Sequence, residues 1–224
     1  MTKVKICGIT NLEDALFCIE EGVDFLGFVT EFPVPVVWNL NRKEAKSLIE
    51  KVYDKVTTVV VTSGTIDKIL DIVEFTKPHI LQLHGKEKLN DIRELVNKLT
   101  STGIKIIKAL PIQIETKKAF FEIEEPEKAI FSIQSAGVWA VTVDSKTSSM
   151  PAGTGKTLDW KLAKKLREIT TIPFFLAGGL TSENVKVAIE EVKPFGVDVI
   201  TGVEKYPGKK DHKKVKSFIK AVKK

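Results

Sequence analysis

A lysine and a cysteine lie two residues apart near the start of the chain, in Val4-Lys5-Ile6-Cys7-Gly8-Ile9. Apolar and polar residues alternate here as in a short β-strand, whose successive side chains point to opposite faces, so Lys5 and Cys7 share one face. An ammonium group beside a thiol stabilises the thiolate and lowers the pKa of the thiol. The pair therefore suits an active site, although an exposed lysine and an inert cysteine on an edge strand remain the alternative.

Eight β-type runs alternate with helical patterns along the chain. Strands that alternate with helices through short connections form parallel sheets, and eight such units favour a closed barrel. We therefore predict a single-domain (β/α)8 TIM barrel over residues 1–224. An open doubly wound sheet is the alternative, but it usually carries Gly-x-Gly-x-x-Gly after its first strand, and this chain has Cys7-Gly8-Ile9-Thr10 there. The predicted strands are 4–7, 24–29, 57–62, 79–85, 104–110, 138–144, 173–177 and 197–200, and the least defined helix lies within 117–134.

Polar side chains stand at the C-terminal ends of several of these strands, where (β/α)8 barrels hold their active sites. Besides Cys7, these are Gln82 and His84 at the end of strand four and Asp144 at the end of strand six. Alternation along each strand turns them to one side and apolar neighbours such as Leu83 to the other. The barrel is therefore predicted to bring them, with the lysine of strand one, into one mouth.

Two glycine-containing turns follow the last two strands of the predicted barrel. Gly178-Gly179 ends strand seven, and Thr201-Gly202 ends strand eight. Barrels commonly bind a phosphate group at this pair of loops, through backbone N–H donors and a short helix N-terminus. We expect these four residues to bind phosphate, and two ordinary tight turns are the alternative.

The loop after strand six, residues 147–157, contains Gly153, Gly155 and Lys156. Its end, Gly155-Lys156-Thr157, looks like part of a nucleotide-binding P-loop, but the glycine needed five places earlier is Met150, which argues against an NTPase. Glycines permit backbone conformations that other residues resist, so the loop is interpreted as a lid over the barrel mouth. A plain surface loop is the alternative.

The net charge of +6 comes from the end of the chain. Residues 209–224 hold eight lysines and one aspartate, which is +7 and leaves about −1 for the rest. Val215, Phe218, Ile219 and Val222 have helical spacing, so we predict an amphipathic helix with a solvated lysine face and no nucleic-acid partner. No run is long enough for a membrane span, and two cysteines without metal-ligand or disulfide spacing predict a cytoplasmic protein.

Several ordered motifs together resemble the phosphoribosylanthranilate isomerase family over nearly the whole length of the chain. The motifs are Lys5-Ile6-Cys7-Gly8-Ile9, Leu81-Gln82-Leu83-His84-Gly85, Val143-Asp144-Ser145-Lys146-Thr147, Gly153-Thr154-Gly155-Lys156-Thr157-Leu158-Asp159-Trp160, Leu176-Ala177-Gly178-Gly179-Leu180 and Gly202-Val203-Glu204.

This resemblance implies an Amadori rearrangement in tryptophan biosynthesis, without cofactor or metal. The substrate would be a small phosphorylated molecule, N-(5'-phosphoribosyl)anthranilate, and the enzyme a monomer or a homodimer. By the same resemblance Asp144 is the general acid and Cys7 the general base. Lys5, Gln82 and His84, which strand alternation places in the mouth, are expected to contact the substrate. Asp144 would then need a raised pKa and Cys7 a lowered one.

The chain departs from the family in the segment after strand two. The family usually has Ser-Pro-Arg there, whose arginine holds the anthranilate carboxylate, whereas residues 33–40 of this chain contain no arginine. Arg42 is the nearest arginine and lies at the start of the next predicted helix. We expect Arg42 to reach back to the carboxylate and Trp38 to cover the aromatic ring.

The missing arginine leaves other functions open. A related barrel could act on another phosphorylated sugar, either as an isomerase or as a lyase or aldolase that forms a Schiff base on Lys108. A barrel that only binds a phosphorylated ligand is the non-enzymatic alternative.

Overall fold

The computed structural model describes residues 1–146 and 158–223 of the chain. Eight parallel strands close into a barrel in which each strand pairs with the next and the last pairs with the first. The predicted (β/α)8 TIM barrel is therefore confirmed. The strands are β1 (Lys3–Ile6), β2 (Phe25–Val29), β3 (Thr57–Thr62), β4 (Ile80–Leu83), β5 (Lys105–Gln113), β6 (Ala140–Lys146), β7 (Phe174–Leu176) and β8 (Gly196–Val199).

Helices surround the barrel and begin where the local sequence provides a capping side chain. The side chain of Asn11 accepts a hydrogen bond from the backbone N–H of Asp14, and Asn41 and Thr65 cap the next two helices in the same way. None of the described helices is long and apolar enough to cross a membrane. The helices are α1 (Leu12–Glu20), α2 (Arg42–Val52), α3 (Ile66–Thr76), α4 (Leu89–Leu99), α5 (Pro126–Ser135), α6 (Trp160–Ile169), α7 (Val185–Val192) and α8 (His212–Lys223).

The alternation of side chains along the strands divides the core into two layers. Leu83 and Val143 lie in the outer layer, between the sheet and the helices. Cys7 lies inside the barrel with a second cluster, in which the rings of Phe25 and Phe175 meet edge to face with centroids 5.4 Å apart. This interior packing fills the barrel below its mouth, and the polar side chains at the strand ends lie above it.

Two parts of the fold differ from the sequence-based prediction. Strand β5 continues beyond residue 110 to Gln113, because it pairs with β6 as far as Lys146. Residues at the start of the lysine-rich tail form a short antiparallel hairpin of β9 (Glu204–Tyr206) and β10 (Lys209–Lys210), and the helix begins only afterwards. The ammonium group of Lys210 is buried and lies 3.2 Å from the carboxylate of Glu204, so this lysine is not part of a solvated face.

Candidate active site

A cavity of about 450 Å³ opens at the C-terminal ends of the barrel strands. It gathers most of the residues that the sequence singled out, whereas Lys5 and Arg42 do not line it. The lid residues Gly153, Gly155 and Lys156 lie outside the described part of the chain. Predicted residues in the cavity wall are Cys7, Trp38, Gln82, His84, Asp144, Gly178, Gly179, Thr201 and Gly202.

Beneath the cavity, Lys5 forms a buried ion pair that the sequence analysis missed. Its Nζ donates a hydrogen bond of 2.8 Å to Oδ2 of Asp198, which lies directly beside it in β8. The other oxygen, Oδ1, is buried without a hydrogen-bond partner among the described residues, and Asp198 lines the cavity. Asp198 is an acidic residue on the inward face of a hydrophobic strand, which is the signal that could have identified it.

The electrostatics of Cys7 differ from the expectation. Burial raises the pKa of the Cys7 thiol above its ordinary value, and the negative charge of Asp198 adds to this effect. The ammonium group of Lys5 acts in the opposite direction but does not outweigh burial. The predicted lowering of the Cys7 pKa is therefore wrong, because removal from water destabilises the thiolate more than the nearby ammonium group of Lys5 stabilises it. For Lys5, burial alone would lower the pKa, but Asp198 and Cys7 raise it, so the amine stays protonated.

Asp144 stands at the cavity end of β6, and its Oδ1 accepts a hydrogen bond of 2.7 Å from the backbone N–H of Ser145. Burial raises the pKa of Asp144 to about 7, with a further contribution from the nearby charge of Asp198. The hydrogen bond from Ser145 and the charge of Lys5 oppose this shift. Near neutral pH this carboxyl group therefore holds a proton part of the time, as a general acid must.

Gln82 and His84 lie side by side where β4 ends. The Nε2 atom of Gln82 is 3.4 Å from the Nδ1 atom of His84. The imidazole ring also meets the ring of Phe32 edge to face, with centroids 6.3 Å apart. The β4 end and the segment after β2 therefore adjoin each other in the cavity wall, and polar side chains stand next to an aromatic surface.

The glycines after β7 and β8 expose bare backbone at the predicted phosphate site. A Cβ atom on Gly202 would lie 1.9 Å from the carbonyl oxygen of Leu180, and one on Gly178, whose φ is +92°, would lie 2.5 Å from Oγ of Ser145. Only glycine fits where the two loops approach so closely. A shallower cavity adjoins this place, and Lys214 of α8 borders it together with Gly179.

The structure does not bring Arg42 to the cavity. Its guanidinium binds the carboxylate of Glu31 through Nε at 2.7 Å and Nη2 at 2.9 Å, and Nη1 also contacts Asp71. These two carboxylates hold the side chain beside the start of α2, which does not fit the expectation that it reaches back over the mouth. Trp38 does line the cavity, where its Nε1 donates a hydrogen bond of 2.6 Å to Glu204.

Lys108, the candidate for a Schiff base, is engaged elsewhere. Its Nζ lies 2.8 Å from Oε2 of Glu87 and donates a second hydrogen bond to the carbonyl oxygen of Gly85. The side chain is 1% exposed and does not line the cavity. A carbonyl substrate in the cavity therefore has no free amine at this position.

Fold and cavity together define a (β/α)8 barrel whose mouth combines an acid with a raised pKa, a thiol and two bare-backbone loops. The family model described as N-(5'phosphoribosyl)anthranilate (PRA) isomerase matches residues 4–221. The chain belongs to this family.

Individual relatives agree over the full length. The N-(5'-phosphoribosyl)anthranilate isomerase of Aquifex aeolicus is 42% identical, with 100% of this chain and 99% of the relative covered. That of Methanocaldococcus jannaschii is 39% identical, with 100% and 98% covered. The crystal structure of the Thermotoga maritima enzyme superposes with a TM-score of 0.84 at 37% identity, covering 100% of this chain and 99% of the other. A phosphoribosyl anthranilate isomerase solved with reduced 1-(o-carboxyphenylamino)-1-deoxyribulose 5-phosphate has a TM-score of 0.80 at 34% identity, with the same coverage.

Proposed function

We propose that Asp144 and Cys7 are the general acid and the general base with which this enzyme isomerises N-(5'-phosphoribosyl)anthranilate. The enzyme belongs to the isomerase family of tryptophan biosynthesis, whose reaction converts an aminoaldose into an aminoketose. The observation that carries the assignment is that both side chains line one cavity and Asp144 is buried enough to have a pKa of about 7. Each such group typically contributes about 10² to 10⁴ in rate.

The reaction follows from these two groups in two proton transfers. Asp144 gives its proton to the furanose ring oxygen as the bond from that oxygen to C1 breaks, and the nitrogen lone pair forms a protonated Schiff base. The thiolate of Cys7 then takes the proton from C2, the C–H electrons form the C1–C2 double bond of an enolamine, and the π electrons of the C1–N double bond return to the nitrogen. The enolamine tautomerises to the ketose.

The raised pKa of Cys7 fits this order of events. In the free enzyme the group is a thiol, so it must release its own proton to solvent before it can accept one from C2, and the thiolate that remains is correspondingly a strong base. Ring opening places a positive charge on the substrate, which acidifies the C2 proton and attracts a thiolate. The ammonium group of Lys5, on the same face of β1, adds to that attraction.

The remaining cavity residues serve to hold the substrate. We propose that the backbone of Gly178-Gly179 and Thr201-Gly202 binds the phosphate, because these residues of two neighbouring loops line the same cavity and backbone N–H groups at such loops commonly bind phosphate. Gln82 and His84 are proposed to contact the substrate between this site and the aromatic wall.

We propose that the enzyme works in the cytoplasm. Cys7 and Cys18 are both free thiols, which suits a reducing cytoplasm. We propose a single-domain enzyme that works as a monomer or a homodimer. A Thermotoga maritima isomerase of similar fold, with a TM-score of 0.80 at 35% identity, is described as dimeric.

A turnover assay tests the proposed function. The purified enzyme is mixed with freshly generated N-(5'-phosphoribosyl)anthranilate, and the conversion is followed by the change in anthranilate fluorescence. We expect an aminoketose product and no covalent adduct when borohydride is added during turnover. A folded enzyme that leaves the substrate unchanged, or a borohydride-trapped lysine, would overturn the proposal.

A further inference from the structure

We infer that Lys86 binds the carboxylate of the substrate's aromatic ring and so sets the specificity of the cavity for an anthranilate. This inference rests on the proposed function, since it assigns a residue to one end of that substrate. The substrate carries two anionic groups, and the phosphate is proposed to occupy the loops after β7 and β8. A second anion-binding group must therefore stand elsewhere in the cavity.

Lys86 is the only lysine or arginine among the described residues that line the cavity. The buried Lys5 is neutralised by Asp198 at 2.8 Å, and Arg42 is bound by two carboxylates outside the cavity. No acidic side chain of the described residues lies within ion-pair distance of Lys86. Its charge is thus available to a ligand, whereas Lys5 and Arg42 are already compensated.

The surroundings of Lys86 suit an aromatic acid. Its Nζ lies 4.3 Å from the centre of the Phe120 ring, which lines the same cavity, so the ammonium group is held against the wall. The adjoining segment after β2 contributes Phe32, Val36 and Trp38 to the lining. Apolar side chains can bury the ring while the lysine pairs with the carboxylate.

The backbone on both sides of Lys86 is fixed by a buried ion pair. The N–H of Gly85 donates to the carboxylate of Glu87 at 3.1 and 3.2 Å, and the carbonyl oxygen of Gly85 accepts from Lys108. Lys108 and Glu87 are themselves 2.8 Å apart and almost fully buried. A Cβ atom on Gly85 would lie 1.8 Å from Oγ of Ser63, so only glycine fits at this position of the turn. Lys86 is therefore presented to the cavity by a rigid turn.

Lys86→Met tests the inference, because methionine keeps the length and the contact with Phe120 but removes the charge. The matched control is Lys88→Met, which removes the same charge two residues along, outside the cavity. A charge-assisted bond of this kind predicts that Lys86→Met raises KM about 10- to 100-fold, with a much smaller effect on kcat. Lys88→Met is expected to leave KM unchanged, and Lys86→Arg to retain most of the affinity.

Binding of the reduced product, and of its counterpart without the ring carboxylate, isolates the contact. We expect Lys86→Met to weaken binding of the first about 10- to 100-fold and to leave binding of the second unchanged. The inference would be overturned if both ligands were weakened equally or neither was, or if Arg42→Met raised KM while Lys86→Met did not. Failure of the unmutated enzyme to turn over the substrate would instead refute the proposed function.

Discussion

Replacement of Asp198 by asparagine should strengthen the attraction between Lys5 and the Cys7 thiolate and so lower the pKa of Cys7. Asparagine keeps an acceptor for the Lys5 ammonium, which now bonds Oδ2 at 2.8 Å, but removes the charge that neutralises it. Lys5 is fully buried, and a buried cation without a counter-ion is strongly unfavourable. The thiolate of Cys7, which shares the face of β1 with Lys5, is the nearest group that can take over as the anion.

The size of the expected change in the Cys7 pKa follows from the charged groups that act on the thiol in the unmutated enzyme. Asp198 raises the pKa of Cys7 and Lys5 lowers it, so removing Asp198 both deletes a repulsion and strengthens an attraction. A buried neighbouring charge typically shifts a pKa by about one to three units. Since burial still raises the pKa of Cys7 in the variant, we expect the pKa to fall by the lower limit of this range, about one unit. That shift corresponds to about 1.4 kcal/mol and to a tenfold larger fraction of thiolate at a fixed pH below the pKa.

The assay is a pH titration of the thiolate by its ultraviolet absorbance. It is made in a Cys18→Ala background, and the titration of the corresponding Cys7→Ala variant is subtracted to remove the tyrosines. Asp198→Asn should move the Cys7 transition to lower pH, and Lys5→Met should move it to higher pH. Asp71→Asn, which removes an exposed carboxylate outside the cavity, should leave it in place. An unchanged or raised Cys7 pKa in Asp198→Asn would refute the electrostatic reasoning.

Two further predictions use matched pairs of residues. Cys7→Ala should lower kcat about 10²- to 10⁴-fold in steady-state assays. Cys18→Ala should leave kcat unchanged, because the sulfur of Cys18 is buried in the packing of α1. If Cys18→Ala lowered kcat and Cys7→Ala did not, Cys18 would be the base. Gly202→Ala should raise KM, because the added methyl group would push Leu180 away from the phosphate loops. Gly103 has a positive φ but has open space around it, so Gly103→Ala should alter thermal stability alone. Equal KM values for the two alanine variants would argue against phosphate binding at Gly202.

Most of the fold and half of the site could be predicted because they depend on local sequence. Alternation along single strands was enough to place Gln82, His84 and Asp144 on the inward face, and strand ends define the mouth of a barrel. The predicted helix after strand two also placed Arg42 in its first turn, and α2 does begin at Arg42.

The features that the sequence analysis missed or predicted wrongly depend on contacts between different segments of the chain. Asp198 meets Lys5 only because β8 closes against β1, a separation of 193 residues. Arg42 is drawn from the cavity by Asp71 of α3, and its helical position alone does not reveal that partner. Lys210 was predicted to lie on a solvated face, but its ammonium group is buried and paired with the carboxylate of Glu204 in the preceding hairpin strand. Each of these errors concerns a charge whose partner the sequence could not supply.

The most direct test of the acid–base assignment is a single-turnover measurement on Asp144→Asn. Asparagine is close in size to aspartate but has no proton to give, so we predict a loss of about 10²- to 10⁴-fold in the rate of conversion. Because the substitution keeps the size of the side chain, binding of the reduced product analogue should stay within about threefold of the unmutated enzyme, which is a difference below about 1 kcal/mol. Conversion at close to the original rate, with the analogue still bound, would show that another group protonates the ring oxygen.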